Sequence, residues 1–368
     1  MLAGEKVSVL GFGCMRFPLT EEGNAGSIDE EKAIEMLRYA IDNGVNYFDS
    51  AYVYHDRKSE GLIAKALKDG YREKVHIATK CPTWQVKSEA DFDRILDEQL
   101  SRLETDYIDF YLMHALDKER MEIIKKFNII DKLNKAKADG KIRHIGFSFH
   151  DNLETFKKIV DANPAWEFCQ IQLNYINTFY QAGLEGLEYA YNHGLNVIIM
   201  EPLLGGRLAN PPKHVTDVLT SEKTPVEWAM DFLWNRKEVS ILLSGMGAME
   251  QVKANISYAD KAEAGMLTEE NLEMLRRAKS AYDSKATVPC TKCAYCMPCP
   301  FGLNIPKTFE AYNMTITSAS AEELKKAHDM YAEIETKADK CKKCKKCEQV
   351  CPQGIKISDL MSRIPDSF

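Results

Sequence analysis

The chain has 368 residues, 45% of them hydrophobic, and a formal net charge of −7. That length suits one large domain plus a small one, the apolar content is ordinary for a globular core, and the acidic balance argues against a general nucleic-acid binder. The opening, MLAGEKVSVLGFG, has no long apolar run and no small-residue cleavage site, and no stretch is long enough to cross a membrane. Lone cysteines (Cys14, Cys81, Cys169) fit a reducing compartment, so the expectation is a cytoplasmic protein with neither nucleic acid nor membrane as partner.

VSVLGFG is the first predicted strand. GFGCMR, at 11–16, lacks the G-x-G-x-x-G spacing of a dinucleotide-binding loop and reads as a turn. DEEKAIEMLRYAIDNG predicts a helix with Ser27 and Glu30 in capping-box spacing, Ile34, Leu37 and Ile41 on one face, and Gly44 as C-cap. Seven more β-rich runs follow: VNYFDSA, KVHIATK, YIDFYLMH, RHIGFSF, FCQIQLNY, NVIIMEPL and VSILLSG. Helical patterns separate nearly all of them. Eight β/α units in about 250 residues predict a (β/α)8 TIM barrel, with a doubly wound open sheet as the rival. EENLEMLRRAKSAYDS, at 269–284, is one more helix leading away. The barrel domain is accordingly placed at 1–284 and a small, mostly helical domain at 285–368, with helical patterns around 306–313 and 320–336.

Three barrel strands place a reactive side chain at or beside their C-terminal ends: Asp49, Lys80 and His114. Tyr54 lies in the loop after the first of these. Barrel active sites are built on that face. Taken singly, the aspartate could cap a helix, the lysine could be a surface charge and the histidine a satisfied core residue. Their joint appearance in this order is what singles them out.

On these residues, and on FDSAYVYHDRKSE, ATK, YLMH, GFS, QLNY and SGM…EQVKAN in the same order, the chain resembles the aldo-keto reductases over about residues 3–260. The resemblance implies hydride transfer from NADP(H) or NAD(H) to a small carbonyl substrate. It implies that Tyr54 is the proton donor, Lys80 and Asp49 its activating pair, and His114 the imidazole that orients substrate. Physical logic supports those roles, because a carbonyl oxygen gaining charge needs a proton donor beside it. A nearby ammonium lowers the phenol's pKa from its usual value near ~10. For the cofactor, the resemblance implies Ser148 and Gln170 at the carboxamide, and Leu203 and Gly205 in the segment that wraps the pyrophosphate. Met200 stands where many relatives stack an aromatic ring on the nicotinamide. Ser244, Gly245, Met246, Gln251 and Asn255 match the adenosine-phosphate loop, with helix capping as the plain alternative for Gln251 and Asn255. The loop's only basic residue is Lys253, which predicts a modest preference for NADP over NAD.

The small domain holds eight of the chain's 11 cysteines. Cys290, Cys293, Cys296 and Cys299 form C-x2-C-x2-C-x2-C-P, and Cys341, Cys344, Cys347 and Cys351 form C-x2-C-x2-C-x3-C-P. Two-residue spacers let three thiolates from one loop wrap a 4Fe–4S cube while a fourth comes from elsewhere. Structural zinc is the alternative, although zinc sites favour separated C-x-x-C pairs. The pattern resembles the two-cluster bacterial ferredoxins. That resemblance implies two 4Fe–4S clusters with exchanged fourth ligands: Cys290, Cys293, Cys296 and Cys351 on one, Cys341, Cys344, Cys347 and Cys299 on the other. The first motif departs from the pattern by one residue before Cys299.

The whole chain looks like an aldo-keto reductase with a C-terminal ferredoxin-like tail. Three readings of the combination stand: a reductase with structural or redox-sensing clusters, a barrel wired to a flavoprotein or ferredoxin partner, and a non-catalytic scaffold. Lys340, Lys342, Lys343, Lys345 and Lys346 crowd the second motif, as either a solvated loop or a dock for an acidic redox protein.

Overall fold

The computed structural model describes every residue except 22, 221, 286 and 319. It divides into two compact units, Met1–Pro202 with Met230–Leu267, and Leu203–Ala229 with Thr268–Phe368.

In the first unit eight parallel strands close into a barrel in sequential order. They are β1 (Leu10–Gly13), β2 (Tyr47–Asp49), β3 (His76–Cys81), β4 (Ile108–Leu116), β5 (Ile142–Phe149), β6 (Phe168–Gln172), β7 (Asn196–Met200) and β8 (Val239–Gly245). β8 returns to β1 at Leu10↔Leu242 and Gly13↔Gly245, which rules out the open sheet. Both faces of such strands are covered, so they read as apolar runs rather than as alternation. Leu2, Tyr47, Phe110, Phe168 and Ile198 pack together inside the barrel.

Two local expectations need correction. The helix Glu30–Asp42 is capped by Asp29, whose carboxylate accepts from the Lys32 amide at 3.3 Å, and not by a Ser27–Glu30 box. A carboxylate there also favours the positive end of the helix, while the Ser27 hydroxyl is spent on the carbonyls of Glu21 and Asn24. The buried stripe is Ala33, Met36, Leu37, Ala40 and Ile41, with Ile34 only half-buried. Gly44 follows the C-cap Asn43 at φ +91°. Second, β1 runs through Gly13, so the turn read at 11–16 begins only at Cys14. Flanking strands β2 and β8 both offer ladder partners, and these draw Phe12 and Gly13 into the sheet.

The second unit contains the helices Glu269–Asp283, Ile305–Thr317 and Ala321–Ala332. Thr268 and Asn271 cap the first reciprocally, through bonds of 3.3 and 3.1 Å. The other two are the helices expected between the cysteine motifs. Leu303, Ile305, Phe309, Ile357, Met361 and Ile364 form the core of this unit. Each large side chain buried there contributes ~1.5–3 kcal/mol, so the tail has an apolar centre of its own.

Candidate functional sites

Lys80 is the most constrained charge in the barrel, at 1% exposure. β2 and β3 pair at Asp49↔Ala78, which brings its strand beside the aspartate. The Lys80 ammonium donates to Asp49 Oδ1 at 2.5 Å, to the Ser50 carbonyl at 2.6 Å and to the Tyr54 hydroxyl oxygen at 3.4 Å. All three of its protons thus have acceptors, which a buried ammonium requires. Burial pushes the Asp49 carboxyl above its ordinary value, and the Lys80 ammonium opposes that rise. Since Lys80 donates to the phenol oxygen, the Tyr54 proton is directed to another acceptor.

A buried polar network backs this group. Glu60, 1% exposed, accepts from Thr79 and Gln99 at 2.7 Å each and from Arg102 at 3.0 Å. Gln99 also donates to the Lys80 carbonyl at 3.2 Å and accepts from Tyr111 at 2.7 Å. Ser59 and Ser50 share a 2.9 Å bond. Through Thr79, Glu60 therefore anchors the strand that carries Lys80, and Ser59 holds Ser50, whose carbonyl accepts from the Lys80 ammonium.

His114 sits near the end of β4, where the β4–β5 register shifts between Met113 and Leu116 and Ala115 takes φ +54°. Its ring lies edge-on to Tyr54 at 6.1 Å and tilted to Trp84 at 5.1 Å. Burial, then the charges of Lys80, His150 and Arg120, hold this imidazole well below its ordinary pKa, so it is neutral at neutral pH. Trp84, Arg120 and His150 are additions that the sequence reading did not single out. Arg120 stands 5.4 Å over the Trp84 ring, and burial pushes His150 down to about 4. Trp84 and His150 each follow the end of a barrel strand, which was the available signal.

Ser148 and Gln170 are direct partners in the β5–β6 register. The Ser148 oxygen accepts from the Ala115 amide at 2.7 Å, which leaves its hydroxyl proton to donate. Gln170 reaches Asp49 Oδ2 at 3.5 Å, and its own Oε1 is buried without a hydrogen bond. One hydroxyl donor beside one orphan acceptor complements a carboxamide, which has one acceptor and one donor end. Met200 closes β7, half-buried, in register with Gln172.

At the end of β8, Asn255 donates to the Ser244 hydroxyl at 3.0 Å and Gln251 accepts from the Gly247 amide at 2.9 Å. These two side chains organise the loop from within. Met246 is fully buried, so it can offer this loop only its backbone. A Cβ on Gly245 would stand 2.6 Å from Arg16 Cγ, so Arg16 from the loop after β1 packs on the same turn. Arg16 is a basic residue that no reading of the 244–255 segment alone could supply. In the second unit, Leu203 opens a tight turn, with the amides of Gly206 and Leu208 donating to its carbonyl at 2.9 and 3.0 Å, and Gly205 within it.

In the tail, Cys290, Cys293, Cys296 and Cys351 line one small cavity with Ile305, Phe309, Ile355 and Ile357. The Cys296 thiol is pushed up by burial and then by Cys293, Cys290 and Cys351. The second group is Cys341, Cys344 and Cys347, where burial, Glu348 and the other two thiols push Cys347 up to about 11. Cys299, half-buried, packs against the tail core. Four thiols around an apolar pocket suit a soft, sulfur-bound iron cluster screened from water.

The comparisons fit both units. The Aldo/keto reductase family model matches residues 9–279, and the 4Fe-4S dicluster domain model matches 287–355. The chain belongs to the aldo/keto reductase family and carries a C-terminal 4Fe-4S dicluster domain. It is similar to L-galactose dehydrogenase of Arabidopsis thaliana, 28% identical over 297 residues, covering 73% of this chain and 89% of that protein. It is also similar to the probable aldo-keto reductase 1 of Glycine max, 35% identical over 39% of this chain and 42% of that one. Among solved structures, the holo form of aldo-keto reductase AKR11C1 from Bacillus halodurans aligns with TM-score 0.62 and 25% identity over 76% of this chain and 95% of its own. An aldo-keto reductase from Klebsiella pneumoniae in complex with NADPH aligns with TM-score 0.58 and 22% identity, covering 74% and 90%. The chain is an oxidoreductase of this family.

Proposed function

We propose that the barrel reduces a small aldehyde or ketone to an alcohol at the expense of NADPH or NADH. The observation that carries this reading is the buried Asp49–Lys80–Tyr54 array, with bonds of 2.5 and 3.4 Å. A bound reduced nicotinamide supplies hydride to the carbonyl carbon. Tyr54 gives its proton to the carbonyl oxygen, and the two transfers balance as an alcohol. Lys80 stabilises the phenolate that remains, and Asp49 with the Ser50 carbonyl holds Lys80 in place. Neutral His114 serves as a hydrogen-bond donor at the carbonyl oxygen and brings no proton of its own. Ser148 and Gln170 hold the carboxamide, and the loop around Ser244, Asn255 and Gln251 holds the adenosine phosphate. The family match supports the class of chemistry, and the NADPH complex of the Klebsiella relative supports the choice of cofactor.

Two 4Fe–4S clusters are assigned to the tail, on Cys290, Cys293, Cys296 and Cys351, and on Cys341, Cys344, Cys347 and Cys299. Turnover of a panel of small carbonyls with each nicotinamide, with alcohol counted against cofactor consumed, tests the main reading. Absence of one-to-one product under anaerobic conditions would end it.

A second reading concerns a partner. Lys342, Lys343, Lys345 and Lys346 are exposed, as is Cys344 among them, and none has a carboxylate within ion-pair reach among the described residues. This surface suits docking of an acidic redox protein. Association with an acidic ferredoxin should slow steeply as salt rises, and should slow in a variant with these four lysines replaced by glutamine. Salt-independent association would remove the partner.

A further inference from the structure

A larger cavity lies wholly within the unit formed by Leu203–Ala229 and Thr268–Phe368. Its volume is about 310 Å³, at the lower edge of the ~300–1,000 Å³ typical of small-molecule sites. Arg207, Lys285 and Lys292 face it, against one carboxylate, Glu310, which is already spent on Lys292 at 2.8 Å. Among the described residues the Arg207 guanidinium is bonded only to neutral acceptors, the Val288 carbonyl at 3.2 Å and the Thr287 hydroxyl at 2.6 Å. Lys285, half-buried, has no ion-pair partner among the described residues. Two cations without counter-charge on one concave wall attract an anion. The remaining wall is mixed: Tyr282, Pro212, Pro306 and Met314 give it an apolar and aromatic part, beside the neutral polar side chains of Asn210, Asn313 and Thr317 and the imidazole of His214, and the Arg207 guanidinium lies 5.2 Å from the Tyr282 ring centroid.

The wall is also held in shape. Gly205 takes φ +65°, and a Cβ there would stand 2.4 Å from the Thr291 carbonyl oxygen, so the turn presses directly on the first cysteine motif. Asn313 grips Val288 by both backbone groups, at 2.7 and 2.8 Å. Cys290 itself forms part of the lining. Apart from Gly205, no residue of the nicotinamide reading is part of it.

We propose that this cavity binds a planar aromatic ring carrying a phosphate, with Arg207 and Lys285 on the phosphate and Tyr282 against the ring. The inference is independent of what the barrel reduces. Flavin mononucleotide and adenosine monophosphate share this chemistry and are the two probes, with inorganic phosphate as the ringless control. Equilibrium dialysis with anaerobically purified full-length protein should show saturable binding of at least one nucleotide, tighter than phosphate alone. Lys285→Gln and Arg207→Gln should each weaken it about tenfold or more. Among the described residues Lys285 makes no hydrogen bond or ion pair through its side chain, so its replacement keeps the test open should Arg207→Gln fail to fold. Because Cys290 lines the wall, binding should also perturb the visible circular dichroism of the iron–sulfur chromophore. The proposal is overturned if neither nucleotide binds saturably, if phosphate alone binds as tightly, or if both variants bind as the wild type does.

Discussion

In the barrel, Lys80 finds its three acceptors in the chain itself, and Glu60, Gln99 and Tyr111 brace the strand behind it. In the tail, four thiols face a shared cavity whose other walls are mainly aliphatic or aromatic, with Thr291 and Gln353 as the polar exceptions. As thiolates these sulfurs would repel one another, and no cation of the chain is among the residues that line the cavity. A site of the first kind is complete once the chain folds. A site of the second kind is completed by a positively charged group from outside, and its ligand set belongs to the folding free energy of the tail. The apolar core around Phe309 and Met361 lessens that dependence without removing it.

The sharpest way to break this comparison is Cys351→Ser. It should abolish the cluster of the first motif and lower iron content by roughly half, because Cys351 shares a cavity with Cys290, Cys293 and Cys296. Electron paramagnetic resonance should retain the signal of the other cluster, and Cys299→Ser should give the reverse pattern. If Cys351→Ser removes the second-motif signal instead, the exchange of fourth ligands is wrong.

On the barrel side, Tyr54→Phe should cut carbonyl reduction by ~10²–10⁴-fold, the range for a general acid, while nicotinamide binding stays near normal. Near-normal turnover of any substrate would remove Tyr54 from its role. Lys80→Met tests preorganisation directly. It leaves Asp49 buried without its cation, and breaking such a pair costs ~3–5 kcal/mol. Urea denaturation should show that loss, and the double variant Asp49→Asn/Lys80→Met should recover part of it. No recovery would mean that the pair is not coupled.

The sequence carried the barrel far into detail because its signal is periodic. Eight apolar runs and their spacers are local facts, and strand ends follow from them. Asp49, Lys80 and His114 could be placed on one face for the same reason. Ala115 at positive φ, which accompanies the aim of His114, arises from a register shift between two strands that no single segment encodes. Arg16 escaped notice because its contact with Gly245 joins the first strand to the last, a relation that exists only once the barrel closes. The Asp29 cap was missed for a different reason. The hydroxyl of Ser27 is taken up by the carbonyls of its own turn, which the spacing of Ser27 and Glu30 does not reveal.

Arg16 bears on the next prediction. The preference for NADP over NAD should stay below ~10³-fold, about 4 kcal/mol, since the 244–255 loop has Lys253 as its only basic residue. Arg16→Gln should then weaken binding of both nucleotides together and leave their ratio within about tenfold. Paired fluorescence titrations decide this, and a selective loss of NADP would make Arg16 the 2′-phosphate contact.

The smallest expected effect separates the units by pH. His114, buried, and His150, half-buried, lie in the barrel unit, and both are held below the ordinary histidine value chiefly by desolvation, His150 at about 4. Below pH ~6.5 the unfolded chain takes up protons at these positions and the folded barrel does not. The unfolded state therefore binds more protons, and stability falls as pH drops, by up to ~1.4 kcal/mol per unit for each group. For His150 the decline ends near its folded value of about 4. Asp49, raised by burial, acts with the opposite sign as its carboxyl takes up a proton. Urea midpoints of the barrel transition at pH 7.5 and 5.5 should differ in the wild type, and His150→Asn should narrow the difference by about 1 kcal/mol. An unchanged difference would show that His150 protonates freely in the folded state.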